Sequence, residues 1–272
     1  MGKRILVAVV CIPLIFVVFF LLPPIFLPIM ISLLSMIALH EVLWSTGFVK
    51  NPKISGLSIV LSGVIPFWVF IGEGMRSALV GIFLYFVLIF LTAISSRYTV
   101  TLEKMGGSFF FAMLIPYFLS SFVRLDSLAL GKHLILIPLV AAFTSDAFAL
   151  FAGMAFGKHK LAPELSPKKT VEGAVGGFLG AIACCLVYGA VMDLGFGLGV
   201  SYPRFALYGA LGSLVSQLGD LSFSYIKRQY GLKDFGNIFP GHGGVLDRFD
   251  SVIFCAPLIE ILIHYLPAIW EV

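Results

Sequence analysis

Residues 76–95 read RSALVGIFLYFVLIFLTAIS, and after Arg76 no charged side chain occurs before Arg97. A helix crosses the hydrocarbon core of a bilayer with about 20 mostly apolar residues, so this stretch is long enough to span. It is one of several. Of the 272 residues, 60% are hydrophobic and only 12% are charged, and the mean hydropathy is +1.05. Soluble domains average about 45–50% apolar and about 25% charged residues. A chain of this length has no soluble core able to hide so much apolar surface, and the bilayer is its solvent.

Reading outward from 76–95, spans are expected near 5–22, 25–47, 54–72, 107–124, 132–156, 172–198, 204–229 and 249–268. The fold class is an all-α integral membrane protein, a polytopic bundle of about nine transmembrane helices. The first two spans are separated only by Pro23-Pro24, which leaves open a broken hairpin that does not fully cross. No small-residue cleavage site follows the first apolar run, which is read as a retained span. Residues 1–130 are expected to form an N-terminal helical scaffold with lipid-entry and oligomer contacts, and 131–272 a catalytic region.

Nine spans sort the 18 basic residues unequally. Fourteen, from Lys3 and Arg4 to Arg248, fall on one side, against Arg76, Arg124, Lys132 and Arg204 on the other. Cytoplasmic loops carry the Lys/Arg excess, so the N-terminus and the loops at 158–169 and 227–248 are expected in the cytoplasm. A formal charge of +4 without a basic face does not fit a nucleic-acid binder. Cys11, Cys184, Cys185 and Cys255 lie in apolar runs without metal-ligand spacing and read as small buried hydrophobes. Glycines at 153, 157, 173, 177, 180, 209 and 212 recur at helical spacing and mark faces where helices approach closely.

Polar groups enter the spans mainly after residue 143. Before it, His40-Glu41 stands out, and a structural pairing with a neighbouring helix is its expected role. In the eighth span, Ser213, Gln217, Asp220, Ser224 and Lys227 follow at spacings of 4, 3, 4 and 3. That period puts them on one helix face, opposite Leu214, Leu218, Leu221 and Tyr225. The stripe reads as one wall of an aqueous cleft. Beyond it come Lys227-Arg228, Lys233-Asp234-Phe235-Gly236, Pro240-Gly241-His242-Gly243-Gly244 and Asp247-Arg248-Phe249-Asp250.

Glycines bare backbone N–H groups for an anion at a helix entrance, and Lys and Arg bond phosphate oxygens. Asp247 and Asp250 share one face of a first turn. With Asp220 they suit a divalent cation, which prefers hard oxygen ligands, although acids in a first turn are also favoured by the helix dipole. His242 reads equally as a phosphate donor or a turn residue. Ser145-Asp146 and the run 165–173 (LSPKKTVEG) form a second patch. Lys168 and Lys169 there serve topology or phosphate.

The run from Ser224 through Lys227-Arg228, Lys233-Asp234, Gly236, Pro240 to Gly244, Asp247-Arg248 and Asp250 closely resembles the signature of phosphatidate cytidylyltransferases, the CDP-diacylglycerol synthases. Asp146-Ala147-Phe148 and the 165–173 run are similar to the same family, and the likeness covers roughly 140–255. The resemblance implies that CTP and phosphatidate give CDP-diacylglycerol and pyrophosphate with magnesium. It further implies Asp220 and Asp247 as principal metal ligands, with Asp250 and Asp146 as lesser ones. Lys227, Arg228, Lys233 and Arg248 would hold the triphosphate and pyrophosphate, with the Gly243-Gly244 backbone and His242 assisting. Lys168 and Lys169 would contact a phosphate, and Ser224 would line the lipid headgroup's route. Membrane lipids are expected partners. A second cation and a homodimer are left open.

Two rivals are weaker. A CDP-alcohol phosphotransferase would carry D-G-x-x-A-R, which does not occur here. A transporter or channel would show internal repeats, and its polar residues would reach the far side. A bacterial inner membrane is the expected location.

Overall fold

The computed structural model of the protein describes residues 13–49, 51–72, 75–96, 99–238 and 243–271. A π-helical turn at Val17–Leu21 leads into α1 (Phe26–Ser45), α2 (Pro52–Ile71), α3 (Met75–Ser95), α4 (Leu102–Leu119) and α5 (Ser121–Asp126). After α6 (Gly131–Leu134) and α7 (Ile137–Phe156), strands β1 (Lys160–Ala162) and β2 (Ser166–Thr170) form a short antiparallel hairpin. Then come α8 (Val171–Phe196), β3 (Gly199–Val200), α9 (Tyr202–Gln229), α10 (Leu246–Tyr265) and β4 (Ile269–Trp270).

The expected spans and the observed helices coincide closely. Among the described residues, six helical segments are long and apolar enough to cross a membrane: Phe26–Ser45, Pro52–Ile71, Ala78–Ser95, Leu102–Asp126, Gly131–Phe156 and Val171–Phe196. The helices α9 and α10, of 28 and 20 residues, carry the polar stripe and the signature acids. The protein is a multi-pass, all-α membrane protein. Residues 5–12 of the first expected span lie outside the described residues.

Two compact units make up the chain. The first comprises Met1–Arg124 and Tyr230–Arg248, the second Leu125–Gln229 and Phe249–Val272. These units are cut differently from the sequence division at 130/131, because the glycine-rich connection belongs with the N-terminal helices. In the first unit α2 packs on α1, α3 and α4. In the second, α7 and α8 form the most extensive helix pair and α9 packs on both.

The glycines explain that closeness. A Cβ on Gly177 would stand 2.6 Å from the Ser145 carbonyl oxygen, and one on Gly173 2.8 Å from that of Ala149. A Cβ on Gly209 would meet the Ile182 backbone at 2.6 Å. Only backbones without side chains reach this separation, as small-residue seams allow in membranes. Outward positions are apolar and open: Leu214, Leu218 and Tyr225 are exposed on α9, opposite its buried Ser213, Ser224 and Lys227.

The hairpin was not expected. Ser166-Pro167 lies in β2, paired through Lys160↔Thr170 and Ala162↔Ser166. Thr170 caps α8, its hydroxyl oxygen accepting from the Gly173 N–H at 3.1 Å. Glu172 in that first turn accepts from the Lys158 and His159 amides and from His159 Nδ1 at 2.6 Å. The hairpin is thereby pinned to the helix it precedes.

Candidate active site

Within the second unit the α9 stripe faces protein. The hydroxyls of Ser213 and Ser145 lie 2.7 Å apart. Gln217 donates to Ser213 Oγ and to the Ala174 carbonyl, both at 3.1 Å. One helical turn further, Asp220 Oδ2 lies 2.6 Å from Lys169 Nζ, and its Oδ1 accepts from Ser224 Oγ at 3.3 Å. Gly219 brings α10 close, since a Cβ there would stand 2.7 Å from the Asp250 carbonyl oxygen.

Asp250 and Lys227 are both buried, with their charged groups 4.0 Å apart. Asp250 Oδ1 accepts from the Ser251 amide at 2.8 Å, while Ser251 Oγ donates to Asp146 Oδ2 at 2.9 Å. Asp146 and Asp250 are thus linked through Ser251 within one unit, with Lys227 beside Asp250, and in the same unit Asp220 pairs with Lys169. A buried charge is tolerated when paired and hydrogen-bonded. Ser251 is a member that the sequence reading missed, because a serine after an acid carries no distinguishing signal.

Arg228, expected to hold phosphate, donates from Nε to the Leu165 carbonyl at 3.0 Å and ties α9 to the hairpin. Lys168 is exposed on β2. Lys169, expected at a phosphate, here neutralises Asp220.

The glycine-rich connection belongs to the first unit. Asp247 Oδ2 accepts from the Phe235 amide at 2.8 Å and the Gly244 amide at 3.0 Å. Gly243 sits at φ +85°, a left-handed backbone that favours glycine. From α1, Glu41 Oε1 accepts from Val245 N at 2.9 Å and Oε2 from Leu246 N at 2.8 Å. Ser45 Oγ donates to the Phe235 carbonyl. The Gly244 amide, expected at a substrate phosphate, donates in this structure to the protein's own Asp247 carboxylate. Glu41 does hold a neighbouring helix, by backbone amides rather than by a charged partner. Lys233 and Arg248 are exposed. His242 lies outside the described residues.

The donor chemistry of Asp146, Asp220 and Asp250 suits a hard divalent cation. Among the described residues, no three His, Cys, Asp or Glu side chains close on one point so as to hold a metal ion. A cation bound by these acids would complete its shell with water and phosphate oxygens, as magnesium usually does.

Acids from three membrane helices, with one lysine from α9 and one from the hairpin, mark this unit as the candidate active site of a membrane-embedded enzyme. The family model described as the cytidylyltransferase family matches residues 2–266, and the chain belongs to that family. It is therefore a nucleotidyltransferase. It is similar to the phosphatidate cytidylyltransferase of Bacillus subtilis, 34% identical over 240 residues, which cover 86% of this chain and 87% of that protein. The phosphatidate cytidylyltransferase of Staphylococcus saprophyticus is 40% identical over 181 residues, 65% of this chain and 68% of its own. That of Thermotoga maritima is 35% identical over 156 residues, 57% of each chain.

Proposed function

We propose that this protein is a phosphatidate cytidylyltransferase of phospholipid synthesis, set in a bacterial inner membrane with its site open to the cytoplasm. The observation that carries this reading is the linked Asp146–Ser251–Asp250 group with Asp220, Lys169 and Lys227, built into one unit of a membrane protein. The similar proteins named above give the substrates.

In the proposed reaction a phosphatidate monoester oxygen attacks the α-phosphorus of CTP. The bond from the α-phosphorus to the bridging oxygen breaks, and pyrophosphate leaves with that electron pair. The attacking oxygen is already anionic, so no side chain need remove a proton from it. The difficulty is bringing two polyanions together, and phosphoryl transfer rests chiefly on positioning and charge stabilisation.

Asp220 and Asp247 are proposed as the principal magnesium ligands, with Asp250 and Asp146 as lesser ones. When bound, the cation neutralises charge on the reacting phosphates. Asp247 suits this role because its hydrogen bonds to two amides fix its orientation, and held ligands bind better. Lys227, Arg228, Lys233 and Arg248 are proposed to hold the triphosphate and the departing pyrophosphate. Lys168 and Lys169 receive a phosphate, which requires Lys169 to exchange Asp220 for it. Ser224 lines the path of the lipid headgroup.

The test is transfer of radiolabelled CTP to phosphatidate by purified protein in detergent. Asp220→Asn should lose about a hundredfold or more, the scale on which removing one charge-stabilising group acts. Wild-type rates in that variant would refute the metal assignment.

A further inference from the structure

The reaction as proposed uses nothing from α1, yet α1 places a buried carboxylate against the signature. We propose that Glu41 is a positioning residue: it fills the amide cradle at the entrance to α10 with the protein's own anion, and so fixes the turn that carries Asp247. This inference rests on the functional reading above and deepens it.

Four observations converge within the first unit. Glu41 is only 4% exposed, in an apolar helix where an ionisable group is costly. Its two oxygens accept from the consecutive amides of Val245 and Leu246, the bidentate pattern by which a helix entrance takes an anion. The next acid along, Asp247, takes the Phe235 and Gly244 amides, so two carboxylates together satisfy four amides of the connection. Finally, a Cβ on Gly236 or Gly244 would stand 2.4 Å from the Glu41 carboxylate. Those glycines leave the room that the Glu41 carboxylate occupies.

A purely mechanical tie would not need an acid, since Ser45 already joins α1 to Phe235. The acid adds a defined orientation of the two amides directly before Asp247, and with it the direction of that carboxylate. It also repels phosphate from the turn, leaving the triphosphate to the lysines and arginines.

Full-length Glu41→Ala and Glu41→Gln proteins in nanodiscs test this. Hydrogen exchange at the 245 and 246 amides should accelerate in the alanine variant and less in glutamine, which keeps one acceptor oxygen. In cytidylyl transfer the half-saturating magnesium concentration should rise about tenfold to a hundredfold, the usual cost of losing a group that orients a ligand. The KM for CTP should move less, whereas a merely structural defect would lower the yield of active protein and leave the magnesium midpoint alone. Gly244→Ala should impair the wild type but add nothing in the Glu41→Ala background, where its Cβ has room.

Unchanged exchange and an unchanged magnesium midpoint in a folded Glu41→Ala or Glu41→Gln protein would overturn the proposal. So would additive losses in the Gly244 pair. If the wild type makes no CDP-diacylglycerol, the functional reading fails, and exchange at 245 and 246 alone decides the role of Glu41.

Discussion

Lys169 and Lys227 stand beside different acids under different conditions, and single substitutions should separate them. The Lys169–Asp220 pair, at 2.6 Å, leaves 26% and 28% of the two side chains exposed. Partly solvated pairs contribute about 1 kcal/mol or less. Lys227 and Asp250 keep only 9% and 11%, and removing one partner of a buried pair costs about 3 kcal/mol or more because a charge is left uncompensated. Lys169→Met should therefore unfold in denaturant much like the wild type, while Lys227→Met should be clearly destabilised. Both should lose cytidylyl transfer. Equal destabilisation would mean that the two lysines do not differ in burial as described. Helical period made the Asp220–Ser224–Lys227 face readable from spacing alone. Period says nothing of Glu41, because 204 residues separate it from the Val245 amide that it accepts from.

Elements depend on backbone separation more than on any side chain. Gly219 touches no charge, yet a Cβ there would push against the Asp250 carbonyl at 2.7 Å and against Phe254. Overpacking of this sort costs about 1–3 kcal/mol. Gly219→Val should lower the thermal midpoint in detergent and also lower activity, by parting α9 from α10 beside Asp220. Wild-type activity in that variant would show that the approach of the two helices is not needed for the site. Losing the α8 cap, as in Thr170→Val, should cost about 1 kcal/mol of stability, read by the same melting experiment. The glycine seam was legible because small residues recur at helical spacing. The β1–β2 hairpin was not: β2 reads SPKKT, with no apolar alternation to mark a strand, and its pairing partners lie across a turn.

For the molecule as a whole, the bilayer imposes the arrangement and the basic residues orient it. The Gly131–Phe156 segment is 26 residues of mean hydropathy 2.1, enough for one crossing at 1.5 Å per residue. The exposed turn around Ser127 precedes it and the exposed hairpin residue Lys160 follows it, so the two must face opposite sides. The excess of Lys and Arg near 158–169 predicts that the hairpin faces the cytoplasm. Ser127→Cys and Lys160→Cys can be placed singly in a protein whose four native cysteines are replaced. A membrane-impermeant maleimide applied to intact cells stripped of outer barriers should label position 127 and spare 160, and inverted vesicles should reverse this. Labelling of both positions from one side would mean that this segment does not cross. Reversed labelling would put the hairpin, Lys169 and the Asp220 end of α9 away from cytoplasmic CTP, and the proposed reaction could not be supplied with nucleotide.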